Sequence, residues 1–262
     1  MINAAYSRYI LAIVSQTSII LHIPHSQPRI PPEVRSGILL NDADLRLELL
    51  RMTDWYTDEL FDTGIGTAIV YPVSRLVADP ERFVDDKEEP MSQKGMGVVY
   101  SRTSEGQMLR YLDPEERAAL INTYYRPHHK RLERAVADNL YKSGQCLIID
   151  CHSFSSLPLP HETDQNIPRP DICIDTESFH TPENLVRAIE NACREKKLVS
   201  KRNSPFKGTL VPSAFHLKEE RVRSIMIEVN RALYMDESTG RKVPWFINVR
   251  SQVRKILGAL SL

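Results

Sequence analysis

Three stretches of the chain join an apolar run to polar residues at its end. "SIILHIPHS" finishes on His25 and Ser26, "CLIIDCHS" on Asp150, His152 and Ser153, and "RSIMIEVNR" on Glu228, Asn230 and Arg231. Short runs rich in Ile, Leu and Val read as buried strands. In open α/β sheets, ligand sites form just beyond the carboxyl ends of the strands. Two histidines and a carboxylate, with one position left open, are a common catalytic zinc set. His25 and His152 are the candidate imidazoles. Side chains alternate along a strand, so Asp150 and His152 share a face and the acid can orient the ring. For the third ligand, "TDWYTDELF" reads as a helix capped by Thr53, with Asp54 and Asp58 at i and i+4 on one face. Either acid can supply the ligand, and a solvated acidic face would have the same spacing. No H-E-x-x-H is present, which excludes a zincin helix. No G-x-S-x-G elbow is present, which weighs against a serine hydrolase built on Ser26 or Ser153.

The other histidines carry less. His128 and His129 sit inside a long helical run and read as packing or surface residues. His22 precedes His25 by three positions, on the other face if the strand continues. His161, His180 and His216 fall in loops or at helix starts, within reach of a substrate. "SRLVADPERF" places Arg75 and Arg82 in a loop after a strand, where guanidinium forks match carboxylates. "NSPFKG" gathers Asn203, Pro205 and Gly208 in a loop suited to polar, backbone-like groups, a composition that turn chemistry also explains.

These residues need a scaffold of strands alternating with helices. "RYILAIVS" and "SIILHIP" read as strands, followed by a Pro-rich loop and then the helix at Thr53. "GTAIVYPV" is a strand. Residues 74 to 113 read as a long functional loop holding a hairpin at "GVVYSRT" and "QMLRYL". "DPEERAALINTYYRPHHKRLERAVADNLYKSG" is a helix capped by Asp113, opened by Pro114, closed by Gly144 and kinked or split at Pro127. Strands follow at "CLIIDCH", "DICIDT", "LVSK" and "RSIMIEVN", with helices at "TPENLVRAIENACREKK" and "VPWFINVRSQVRKILGAL". The pattern predicts a three-layer α/β/α fold with a mixed, mainly parallel sheet, as one domain over residues 1–262.

The chain has 262 residues, 42% of them hydrophobic, enough for a substantial core. Lys plus Arg and Asp plus Glu both number 34, so the net charge is zero. That balance favours neither nucleic acid nor an anionic membrane as partner and leaves a small molecule as the expectation. Cys146, Cys151, Cys173 and Cys193 form no C-x-x-C pair and read as reduced thiols of a cytoplasmic protein. The apolar run from Tyr9 to Val14 is too short for a signal-peptide core, and no segment approaches the roughly 20 apolar residues of a membrane span.

Taken in order, "IPHSQPRIP", "TDWYTDELFD", "VSRLVADPERF", "YYRPHHKRLE", "IIDCHSF", "RPDICIDT", "NSPFKG" and "IEVNRALYMDE" resemble the N-formylglutamate amidohydrolase family, from about residue 20 to residue 237. The resemblance implies a phosphorylase/hydrolase-like core related to zinc carboxypeptidases, and hydrolysis of an N-acyl amide on an amino acid. It implies zinc on His25, His152 and an acid of "TDWYTDEL", with Asp54 favoured. It implies Glu228 as general base, and Arg75 and Arg82 as substrate contacts, Arg75 also stabilising the oxyanion. Ser153 and Asn203 are expected beside the substrate. Two positions depart from the family pattern. Gln27 stands where a glycine usually follows "PHS", and Glu81 stands where the family reads Asn. The second change puts an acid where a neutral amide would meet an acidic substrate. Two other readings stay open: the same fold acting on a peptidoglycan-type or other N-acyl amide, and a small-molecule-binding protein without chemistry.

Overall fold

The computed structural model of the protein describes residues 18–260. The expected first strand, "RYILAIVS", lies outside them. A six-stranded sheet has the order β2-β1-β3-β6-β4-β5. The strands are β1 (Ile19–Ile23), β2 (Thr67–Val70), β3 (Cys146–Phe154), β4 (Ile172–Asp175), β5 (Ser200–Arg202) and β6 (Val222–Asn230). β2, β1, β3 and β6 are parallel, β4 runs antiparallel to β6, and β5 runs parallel to β4. The sheet is therefore mixed and mainly parallel, as expected.

Every residue of β1 and of β3 is buried, because helices cover both faces of the sheet. The odd positions Ile19, Leu21, Leu147 and Ile149 pack against α4 (Glu183–Glu195) and α5 (Phe246–Gly258) through Leu185, Ile189, Val249 and Val253. The even positions Ile20, Cys146 and Ile148 pack against Leu132 and Val136 of α3 (Arg126–Ser143). Continuing the even row along β3 leads to Asp150 and His152. Register extends it sideways: His22 lies opposite Asp150, and Glu228 opposite His152. The chemistry-bearing residues thus continue the α3-facing side of the sheet where its apolar row ends.

Two elements differ from expectation. α1 (Asp42–Met52) occupies what reads as loop, capped by the Asn41 side chain, which accepts from the N–H groups of Ala43 and Asp44. It ends at Met52, and the helix expected to start at Thr53 shrinks to one turn, Thr57–Leu60. Tyr56 stands before that turn in a left-handed conformation (φ 65°), which breaks any continuous helix through Asp54 and Asp58.

The helix after Asp113 behaves as its sequence predicts. The Asp113 carboxylate accepts from the N–H groups of Glu115 and Glu116 at the start of α2 (Pro114–Leu120). A π turn, Ile121–Tyr125, separates α2 from α3 just before Pro127, whose ring lacks the N–H an α-helix needs at that point. Gly144 (φ 76°) closes α3. Between β2 and α2, the long loop keeps a single 3-10 turn, Pro90–Lys94, and the expected hairpin is reduced to one bridge between Arg102 and Met108. All four cysteines are buried and free. No helix among the described residues is long and apolar enough to cross a membrane.

Candidate functional site

His25 lies just past β1, His152 near the end of β3, and Asp54 in the extended stretch after α1. The N–H of Asp54 donates to the carbonyl of His25 (2.9 Å), which ties the two segments together. Asp54 Oδ2 lies 3.2 Å from His152 Nδ1 and 3.7 Å from His25 Nδ1. The two rings meet edge to face with centroids 5.0 Å apart. One nitrogen of each ring and one carboxylate oxygen therefore point at a common centre. Asp58 takes no part: it is turned outward and accepts from the Gln27 amide at 3.0 Å. The shared helix face expected for Asp54 and Asp58 does not exist, and the fold separates them, turning only Asp54 inward.

The outer nitrogens of the two rings are held by carboxylates. His25 Nε2 is 2.8 Å from Asp79 Oδ1, and His152 Nε2 is 3.2 Å from Asp150 Oδ1. With Nε2–H donating to Asp79, the His25 Nδ1 is a lone pair. That atom is buried and has no hydrogen-bond partner. An orphaned imidazole nitrogen facing a carboxylate and a second imidazole fits a divalent metal ion, and each ring has the outer-shell carboxylate that such ligands use. Asp54 is itself braced. Its Oδ1 accepts from Arg231 Nη2 (2.8 Å) and its Oδ2 from the Ser153 N–H (3.2 Å).

Electrostatics agree with this arrangement. Burial, and then Arg75, hold His25 below its ordinary value, which keeps the ring neutral as a ligand must be. Burial opposes ionisation of Asp54, but the neighbouring His152 and His25 rings and the charge of Arg231 outweigh it and keep the carboxyl well below the usual range. His152 runs the other way: burial disfavours its charge, yet Asp150, Asp54 and Glu81 together raise it well above ordinary. The negative field around His152 attracts a cation, whether proton or metal.

Glu228, opposite His152, is 6% exposed. Burial, then the neighbouring Asp175, pushes its carboxyl well above the ordinary range. Glu228 lines a cavity of about 800 Å³ together with His25, Asp54, His152, Ser153, Arg75 and Arg82. Arg75 reaches Asp79 through Nε (3.1 Å) and Nη2 (2.7 Å). Arg82 Nε is buried without a hydrogen-bond partner, 3.8 Å from Asp79 and 3.9 Å from Glu89. Ser153 Oγ accepts from Arg231 Nε. Arg126, Lys130 and Lys207 add positive charge to the lining.

One expected contact is not assembled. Asn203 does not line the cavity. It is exposed, its φ is 47°, and its amide caps the chain at Thr176, accepting from the Thr176 N–H at 3.0 Å. Its place is explained by turn chemistry. His128 is buried and packed, as read, but its Nε2 sits 2.8 Å from that of His22. Asp79 and Arg231 brace the site. The sequence places Arg231 at one of the polar strand ends and Asp79 four residues after Arg75, but nothing in their spacing distinguishes a brace from a surface ion pair.

The sequence model of the family described as N-formylglutamate amidohydrolase matches residues 17–235. The chain belongs to the N-formylglutamate amidohydrolase family. Within reach of the same family, the N-formylglutamate deformylase of Pseudomonas aeruginosa is 26% identical over 229 residues, covering 84% of this chain and 82% of the relative. That of Pseudomonas putida is 28% identical over the same length and with the same coverage. The crystal structure of N-formylglutamate amidohydrolase from Ralstonia eutropha JMP134 superposes with a TM-score of 0.77 at 22% identity, over 93% of each chain. A gene product of Agrobacterium tumefaciens gives a TM-score of 0.67 at 19% identity, over 94% of this chain and 91% of that one. The two structures share the fold of this family member.

Proposed function

We propose that the protein is a metal-dependent amidohydrolase that removes the acyl group from an N-acyl amino acid, with N-formylglutamate as the first substrate to test. The orphaned Nδ1 of His25, aimed with His152 Nδ1 and Asp54 Oδ2 at one centre, is the observation that carries this reading. The deformylase names of the Pseudomonas relatives support the substrate class. The cationic lining at Arg82, Arg126, Lys130 and Lys207 supports an anionic substrate.

His25, Asp54 and His152 would hold the ion, taken to be zinc. When bound, zinc supplies a Lewis acid for the amide carbonyl and lowers the pKa of water toward about 7. Glu228 accepts the proton of the attacking water and delivers it to the leaving amine; its raised affinity for a proton suits both transfers. Arg75, on the cavity wall and held by Asp79, stabilises the developing oxyanion. Arg82, with its unpartnered Nε, receives a substrate carboxylate. Ser153 lines the cavity and orients Arg231 against Asp54.

Glu228→Gln tests the base assignment. The variant should keep its metal content and lose about 10²- to 10⁴-fold in kcat for release of formate from N-formylglutamate. Full activity in a metal-loaded Glu228→Gln protein would overturn the role.

A further inference from the structure

A second group of donors converges on the far side of the His152 ring. His22 Nδ1, Glu81 and Asp150 offer ligand atoms that all lie within 4.8 Å of one another. His22 Nδ1 is 2.8 Å from Asp150 Oδ1 and 3.3 Å from Glu81 Oε1. The three residues come from β1, from β3 and from the loop after β2, and the fold brings them together by pairing His22 with Asp150 in register. The His22 and Asp150 side chains are 0% exposed and that of Glu81 is 10% exposed. Glu81 Oε1 is buried and has no hydrogen-bond partner, although it points at the His22 ring.

Two carboxylates this close, taken out of water, favour a bound cation or a shared proton. His22 is prepared to be a ligand rather than that cation. Its Nδ1–H donates to Asp150 Oδ1 at 2.8 Å and its Nε2 lies 2.8 Å from Nε2 of His128, so an ion on Nδ1 takes the place of that proton while Nε2–H is donated to His128. Both residues are also held from outside the group: Asp150 Oδ2 accepts from the Leu210 N–H (3.0 Å), and the Glu81 backbone N–H donates to Asp79 Oδ1 (2.9 Å). An imidazole with a fixed outer partner and two carboxylates is a donor set for zinc, manganese, cobalt or iron, whereas calcium and magnesium prefer oxygen alone.

We infer that His22, Glu81 and Asp150 form a second divalent-cation site, separate from the one proposed on His25, Asp54 and His152. The two sets share no ligand. The His152 ring stands between them, with Nδ1 toward Asp54 and Nε2 toward Asp150. An ion on the second set fixes Asp150, and through it the orientation of His152. Glu81 also lines the cavity, so the ion adds positive charge to the cavity wall, where the sequence alone puts an acid.

The test is the number of zinc ions per chain. Full-length protein is stripped of metal, equilibrated with zinc, freed of loosely held ion and analysed for elements. Wild type should hold two per chain, and Glu81→Gln, His22→Asn and His25→Ala one each. One zinc in wild type, unchanged in Glu81→Gln and lost in His25→Ala, overturns the second site and leaves the first. One zinc in wild type, lost in Glu81→Gln and kept in His25→Ala, supports the second site and overturns the first. Two zincs retained in both Glu81→Gln and His22→Asn also overturn the assignment. Circular dichroism confirms that each variant is folded. Should Glu81→Gln not fold, His22→Asn and the wild-type count decide.

Discussion

Asp79 is the residue on which the most contacts of the site converge. It is fully buried and accepts from His25 Nε2, from Arg75, from the Tyr100 hydroxyl (2.5 Å) and from the Glu81 N–H. One carboxylate therefore sets the tautomer of a proposed ligand, places a proposed oxyanion contact and anchors the loop that carries Glu81. Asp79→Asn removes the charge and keeps the shape, so zinc affinity should fall about 10- to 100-fold. Competition with a chromophoric chelator measures it, and an unchanged affinity would show that Asp79 does not support the ion. At this scale the positions of His25, His152 and Glu228 were legible in the sequence, because each ends or follows an apolar run where a buried strand has no reason to be polar. Asp79, Arg231 and the His22–Glu81–Asp150 group were not. Several of their partners are distant in sequence, 177 residues for Asp54 and Arg231, 54 for His25 and Asp79 and 128 for His22 and Asp150, and only the fold brings them together.

β3 works as two things along one strand. Its first residues alternate between two helical layers, and its last residues keep the same alternation with polar side chains facing α3. Leu132 of α3 is 0% exposed and packs on that face with Val136 and Ile148, below His22 and Asp150. Leu132→Ala should cost about 2 to 5 kcal/mol of stability through lost burial and the cavity left behind. Urea unfolding reads it, and a loss under about 0.5 kcal/mol would contradict the packing described. The strands and the Asp113 helix were legible because their signals are local: continuous apolar runs, a cap, a proline at the first turn and a closing glycine. α1 was not, because its buried residues are only Leu45, Glu48 and Met52, too few for an apolar stripe, and its clearest mark was the Asn41 cap. The helix expected at Thr53 failed for a backbone reason. Its aromatic and acidic residues satisfy helical spacing, but the left-handed Tyr56 turns Asp54 into the interior instead, with the Tyr56 hydroxyl donating to the Gly240 carbonyl at 2.7 Å.

Over the whole molecule, one face of the sheet is sealed by α4 and α5, while the α3 side opens at its carboxyl end into the cavity. That side keeps several histidines neutral by burial. Burial is the main cause that lowers His129 to about 4, with the Pro80 carbonyl partly opposing it. The unfolded chain binds a proton there near 6.5, so the native state binds fewer protons below that value. The stability from this group is complete above pH 6.5 and is lost progressively as the pH falls toward 4. Replacing it by His129→Gln should flatten the pH dependence of unfolding between 6.5 and 4 relative to wild type. Equal slopes for the two proteins would contradict the burial argument. His25, Asp54 and His152 are proposed to hold an ion required for hydrolysis. The most direct test is formate release from N-formylglutamate by protein stripped of metal and then titrated with zinc. The stripped protein should show no turnover, and activity should recover as zinc is returned. Undiminished turnover by protein shown to be free of metal would contradict it.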